Sequence, residues 1–168
     1  DYTTAIHEFG HYNYMFHDTE DILTQQSNID LNEIHSQGLE MLYYDYADEL
    51  LDGEAGDLFQ FMEVYQMADN TVEASLVSEF EIQVYNNPGM TLEDMNKLYH
   101  NLSAKYGIYY NENISEAYSW VDISHIFNSP CYYIGYATSA FSSLDLLTLS
   151  EENRHEAVEK YMELTTLP

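Results

Sequence analysis

Leu58, Phe61, Met62, Tyr65, Ala68, Val72, Leu76, Phe80 and Val84 recur mostly in steps of three and four, a spacing that a helix gathers on one face. A stripe this long commits the chain to helical packing, because a strand would send alternate residues to opposite sides. Its aromatic and methionine content reads as core. Asn86-Asn87-Pro88-Gly89 stops it, and Asp52-Gly53-Glu54-Ala55-Gly56-Asp57 ahead of it reads as a turn.

Similar patterns continue on both sides. Residues 1 to about 17 read as a first helix, with Ile6, Gly10 and Tyr14 at helical spacing. At Gly10 the missing Cβ lets another backbone come close, although glycine costs a helix about 1 kcal/mol relative to alanine. Asp18 to Asn28 reads as a connection, and Asp30 to Leu51 as a second helix, with Asp30 and Glu33 spaced as in a capping box. Thr91 and Asp94 open a helix to about Tyr106, with Leu92, Met95, Leu98, Tyr99 and Leu102 inward and Gly107 as its break. Ile108 to Tyr118 fits either a loop or a short helix. Trp120 to Phe127 reads as a short helix, Asn128-Ser129-Pro130 as an interruption, and Cys131 to Leu149 as a mostly apolar helix. Ser150 is placed to cap a last helix ending near Leu164. With no internal repeat and no sustained strand alternation, the expected fold class is all-α.

The 168 residues, 45% of them hydrophobic, suit one globular domain. A net charge of −26, from 30 acidic against 4 basic residues, speaks against a nucleic-acid partner and against an anionic membrane surface. Acidity favours solubility and does not by itself imply a basic substrate. One cysteine excludes an internal disulfide, no run approaches the length of a membrane span, and no signal-like start precedes the first helix. The expected location is cytoplasmic.

Chemistry enters with His7-Glu8-Phe9-Gly10-His11, an H-E-x-x-H pattern. Residues four apart share a helix face, so His7 and His11 can offer two imidazole nitrogens to one metal. Glu8 lies about 100° round the helix, where it can reach a water in the metal's open position. The competing reading makes them ordinary residues on a soluble helix. A third ligand would decide between the two.

No third histidine follows at the short metzincin spacing. The candidate acids are Asp18, Glu20, Asp21, Asp30, Glu33 and Glu40, and those on the second helix can pack antiparallel to the first. Glu33, Gln37, Glu40 and Tyr44 trace one polar stripe, which is unusual if it faces the core, because buried carboxylates must be paired or hold a metal. Glu33 is the candidate third ligand. Glu40 is placed to accept the outer ring N–H of His7 or His11 and so set its tautomer. A stripe facing water, or Glu33 serving as a helix cap, remains the alternative.

His7-Glu-Phe-Gly-His11, followed by Glu33, Ser36 and Glu40 in an E-x-x-S-x-x-x-E pattern, resembles the oligoendopeptidase F and thimet oligopeptidase family of zinc peptidases. The segment Ile123-Ser-His125-Ile-Phe-Asn-Ser129-Pro-Cys-Tyr132-Tyr133-Ile-Gly-Tyr136-Ala resembles that family's substrate-facing His and Tyr segment, with the tyrosine phase set to within one residue. The resemblance covers about residues 1–50 and 120–145. It implies a zincin-like helical domain in which His7, His11 and Glu33 hold one zinc ion and Glu8 activates water. His125, Tyr136 and Tyr133 would stabilise the charge developing on the scissile carbonyl. Residues 1–168 would then form the C-terminal catalytic region of a larger, mostly helical peptidase acting on short peptides, with the missing N-terminal part as its partner. Tyr14 stands where thimet-type members often carry a further histidine, so no metal role is expected there.

The remaining candidates are weaker. His17 and His100 read as surface residues, and His155 sits on the acidic last helix. His35 points about 200° away from Glu33 on an ideal helix, a poor direction for a ligand. Cys131 reads as a small buried residue rather than a nucleophile. The alternative for the whole chain is a non-catalytic helical fragment whose metal site is empty or structural.

Overall fold

The computed structural model describes residues 2–17, 32–51, 53–108 and 116–166. Among them the elements run α1 (Tyr2–His17), α2 (Asn32–Tyr43), a 3-10 turn (Tyr44–Tyr46), α3 (Ala47–Leu50), α4 (Glu54–Tyr85) and α5 (Leu92–Tyr106). A second 3-10 segment (Glu116–Asp122), α6 (Ser124–Asn128), α7 (Ile134–Glu152) and α8 (Arg154–Leu164) follow. The described residues form an all-α fold.

Helix α2 lies at the centre, packed against α1, α7 and α8, so every residue from Glu33 to Leu42 is buried. Ile6, Leu39, Leu42, Leu146, Ala157 and Tyr161 join those four helices in one apolar cluster. Met41, Met67, Ala140 and Leu147 tie α2 to α4 and α7. A third cluster holds Leu76, Val77, Phe80, Tyr99, Leu102 and Trp120, where α5 and the second 3-10 segment close on the far half of α4.

Close approach of α1 to α2 depends on Gly10. A Cβ there would lie 2.6 Å from Ser36 Cα and closer still to the His35 carbonyl oxygen. Tyr161 anchors the same stretch from α8, its hydroxyl donating to the His35 carbonyl at 2.9 Å.

Helix α5 follows its sequence signals. Thr91 and Asp94 form a reciprocal capping box, and Gly107 ends the helix at φ 73°. Elsewhere the structure corrects the reading. The expected second helix tightens into 3-10 geometry at Tyr44 and continues as α3, without a Gly or Pro to mark the change. Tertiary bonds hold the bend: Asp45 accepts from Ser150 and Arg154, and the Tyr44 carbonyl accepts from Gln60. Ser150 therefore lies within α7, and Asn153 caps α8 by accepting from the Glu156 amide. Helix α4 begins at Glu54, inside the expected turn.

The inward stripe of α4 holds only in its far half. Leu76 and Phe80 are buried, whereas Leu58, Phe61, Met62 and Tyr65 are 47–64% exposed. Near its start, α4 turns Gly56, Glu63 and Met67 inward instead. Leu92 is likewise exposed rather than inward. Cys131 is exposed, not buried, and lies before α7 at φ 64°, a left-handed conformation that side chains other than glycine seldom adopt. The expected connection from Asp18 to Asn28 and the Asp30 cap lie outside the described residues. No described helix is long and apolar enough to cross a membrane.

Candidate metal centre

Helix α1 carries His7 and His11 one turn apart, with ring centroids 4.9 Å apart and planes at 79°. The Gly10 crossing brings that turn onto the start of α2. There Glu33, only 5% exposed, turns its carboxylate toward both imidazoles. His7 Nε2 lies 3.4 Å and His11 Nε2 3.6 Å from Glu33 Oε2. One potential ligand atom from each of the three residues falls within 4.8 Å of the other two.

These spacings suit a shared ion. Bonds of about 2.0–2.2 Å in a tetrahedron put neighbouring ligand atoms about 3.4 Å apart. Two imidazole nitrogens and one carboxylate oxygen are also a donor set that zinc accepts, with one position left open. His7, His11 and Glu33 therefore fit a zinc ion.

Other bonds fix the orientation of the cluster. His7 Nδ1 contacts Glu40 Oε1 at 2.7 Å, so the ring donates there and presents Nε2 to the cluster. Ser36 Oγ donates to the Glu33 backbone oxygen at 3.0 Å and to Oε2 at 3.1 Å. Glu33 Oε1 accepts from the Tyr132 hydroxyl at 2.5 Å.

The charges answer one another. Burial alone would raise the Glu33 carboxyl, but hydrogen bonds from His11, His7 and Tyr132 hold it well below the usual carboxylate range. Hydrogen bonds to Glu33 and Glu40 hold the His7 imidazolium up to a pKa of about 10. In the metal-free protein a proton thus fills His7 between two carboxylates, and a metal ion must displace it.

His125 lies in an aromatic wall beside this cluster. Its ring stacks on Tyr132 with centroids 5.4 Å apart, and meets Tyr133 and Tyr136 edge-on at 5.4 and 5.8 Å. Burial and the Glu33 charge push the Tyr136 hydroxyl up to about 12, and burial followed by the Glu33 bond pushes Tyr132 further. Both are proton donors at neutral pH. The turn at Cys131, whose backbone N–H donates to Glu81 at 3.0 Å, sets how this segment meets the cluster. Glu8 is exposed, one residue from His7.

Two residues of the site were missed in the sequence reading. The Tyr132 hydroxyl bonds Glu33, and Tyr133 lines the cleft with Tyr136. The Tyr132-Tyr133 pair was a visible signal, and only the turn before α7 decides its phase. Glu63 on α4 is 4% exposed, accepts from Thr3 at 3.0 Å, and is pushed up to about 6 by burial and the Glu40 charge. It gave no signal in the sequence. Tyr14 stacks on His35 at 4.2 Å and 8°, and burial lowers the His35 pKa to about 4. Stacked there, His35 stands apart from the three clustered ligands.

An all-α fold carrying a His, His, Glu cluster that could hold a metal ion is the class that these features define. Two solved structures share this fold. PZ peptidase A with inhibitor 2 superposes with a TM-score of 0.84 over 98% of this chain, at 23% identity. A protein assigned as oligoendopeptidase F superposes with a TM-score of 0.82 over 97%, at 24% identity. The likeness is one of fold, and the chain spans only 30% and 29% of those two chains. No family model and no curated protein matches the sequence.

Proposed function

We propose that the chain is the catalytic region of a zinc-dependent endopeptidase that hydrolyses short peptides. The observation that carries this reading is the convergence of His7, His11 and Glu33, with spacings of 3.4 and 3.6 Å between ligand atoms. Zinc held there supplies Lewis acidity to a peptide carbonyl and makes water acidic near neutral pH.

The chain's own groups then have distinct tasks. Glu8 takes the proton of the attacking water and passes it to the leaving amine. Tyr136 and His125, whose rings are in contact, would donate hydrogen bonds to the charge developing on the carbonyl oxygen, and Tyr133 lines the same wall. Glu40 holds His7 in the tautomer that directs Nε2 to the ion. The rest of a longer protein, matching the unmatched length of the similar structures, would complete the substrate channel and cover the exposed apolar residues of α1 and α4. A cytoplasmic site of action accords with the single cysteine.

Zinc content and cleavage of an internally quenched peptide, measured on the full-length protein, test this reading. Glu8→Gln should keep one zinc per chain and lose at least about a hundredfold in turnover. Glu33→Ala should weaken zinc binding by at least a factor of ten. One tight zinc with no turnover of any peptide would instead support a structural metal site.

A further inference from the structure

A second feature adjoins the metal cluster. His7, Tyr133 and Tyr136 also border a cleft of roughly 230 Å³ whose opposite side is built by α2 and α4. Helix α4 presents Gln66, Asn70 and Glu73 to it, at spacings of four and three that place them on one face. From α2 come Gln37 and Glu40.

Among the described residues no Lys or Arg enters this space, and the His7 imidazolium that borders it is already bonded to Glu40. The chain has four Lys and Arg residues, and each is paired elsewhere. Lys97 pairs with Glu93, Lys105 with Glu79, Arg154 with Asp45 and Lys160 with Glu163.

Gln37 supplies the independent sign of a ligand. Its side chain is only 2% exposed, and its Oε1 is buried without a hydrogen-bond partner even though the residue lines the cleft. Leaving a buried acceptor unmade costs about 1–3 kcal/mol, so such an atom calls for a donor. The Glu73 carboxylate and an orphan amide oxygen, with no Lys or Arg beside them, together call for a group that is cationic and rich in donors.

We propose that this cleft is a specificity subsite that takes a cationic side chain of the substrate peptide, with Glu73 and the Gln37 amide oxygen as its acceptors. The inference rests on the peptidase reading and adds a substrate class to it. A guanidinium suits the cleft better than an ammonium, because its five N–H donors lie in a planar fork that can serve several acceptors together. Burial, and then the Asp69 charge, raise the pKa of the Glu73 carboxyl, a strain on its ionised form that an incoming cation relieves. Because His7 belongs to both cluster and cleft, a side chain held here stays tethered close to the reacting carbonyl.

Paired quenched peptides that differ only by Arg or citrulline at one position test the proposal on the zinc-loaded full-length protein. Citrulline keeps the shape of arginine and loses its charge. At one position near the scissile bond, kcat/KM should favour Arg at least fivefold, and Glu73→Gln should bring that ratio below half its original value. Asn70→Lys, which tethers an ammonium in the cleft, should lower the ratio in the same way and guards against a single misfolded variant. A preference under fivefold at every position, or one that neither variant reduces, overturns the subsite. If no peptide is cut, the citrulline series included, the peptidase reading itself fails. Calorimetric titration with the same uncut pair then decides the cleft: at least fivefold tighter Arg binding supports it, and less overturns it.

Discussion

Replacing Gly10 by Ala tests how the helix crossing builds the metal centre. The new Cβ would lie 2.6 Å from Ser36 Cα, whereas non-bonded carbons rest about 3.5–4.0 Å apart. Relief requires α1 to move off α2 by about 1 Å. His7 and His11 travel with α1 while Glu33 stays with α2, so the 3.4 and 3.6 Å spacings open together. Metal–ligand distances tolerate only about 0.2 Å. Zinc affinity should therefore fall at least tenfold, which is about 1.4 kcal/mol. Overpacking costs about 1–3 kcal/mol and the gain in helix propensity returns about 1, a net loss of up to about 2 kcal/mol in fold stability. Chelator competition reads the affinity, and thermal melting of the metal-free protein reads the stability. Gly38→Ala is the control on α2, because its Cβ would meet Tyr161 and Leu146 at 3.4–3.5 Å, an ordinary contact distance. If Gly10→Ala retains helicity and binds zinc within threefold of the unaltered protein, the close crossing does not set the ligand geometry.

Three further outcomes follow from the bonds and charges of the cluster. Glu40→Gln keeps the shape but weakens the 2.7 Å support of His7, and should cost about 10–100-fold in zinc affinity by the same chelator assay, with the melting temperature as a check on folding. The contributions of His7 and His35 to the stability of the metal-free protein should together be greatest near pH 6.5, read as melting temperature against pH. The raised His7 pKa contributes stability that is full below 6.5 and lost as pH rises toward about 10. The lowered His35 pKa acts oppositely, with its stability full above 6.5 and lost as pH falls toward about 4. Zinc competes with the His7 proton, so the rise in melting temperature on adding zinc should be larger at pH 8 than at pH 6.5. A zinc effect that shrinks over this interval would exclude His7 as a ligand.

Much of the fold was legible because its signals are local. The Thr91 and Asp94 box and the Gly107 break delimit α5 through bonds made within a few residues. The four-residue step from His7 to His11 places both rings on one side of any helix. Gly10 could be suspected of a close approach for the same kind of reason. The bend at Tyr44 and the exposure of Leu58, Phe61 and Met62 were not legible. The first is held by Ser150, Arg154 and Gln60 from distant parts of the chain, and the second depends on which face of α4 meets neighbours.

The sequence by itself determined that the chain is helical, that two histidines can act together, and that Glu33 and Glu40 share a stripe. Periodicity and spacing decide which residues lie side by side on one element, and those relations need no partner. Only the tertiary structure decided that α2 is enclosed from Glu33 to Leu42, that the Tyr132 hydroxyl meets Glu33, and that Glu63 is drawn in beneath the site. Each of these depends on packing between segments far apart in the chain, where the position of a neighbouring helix, rather than the pattern of the helix itself, selects the buried face.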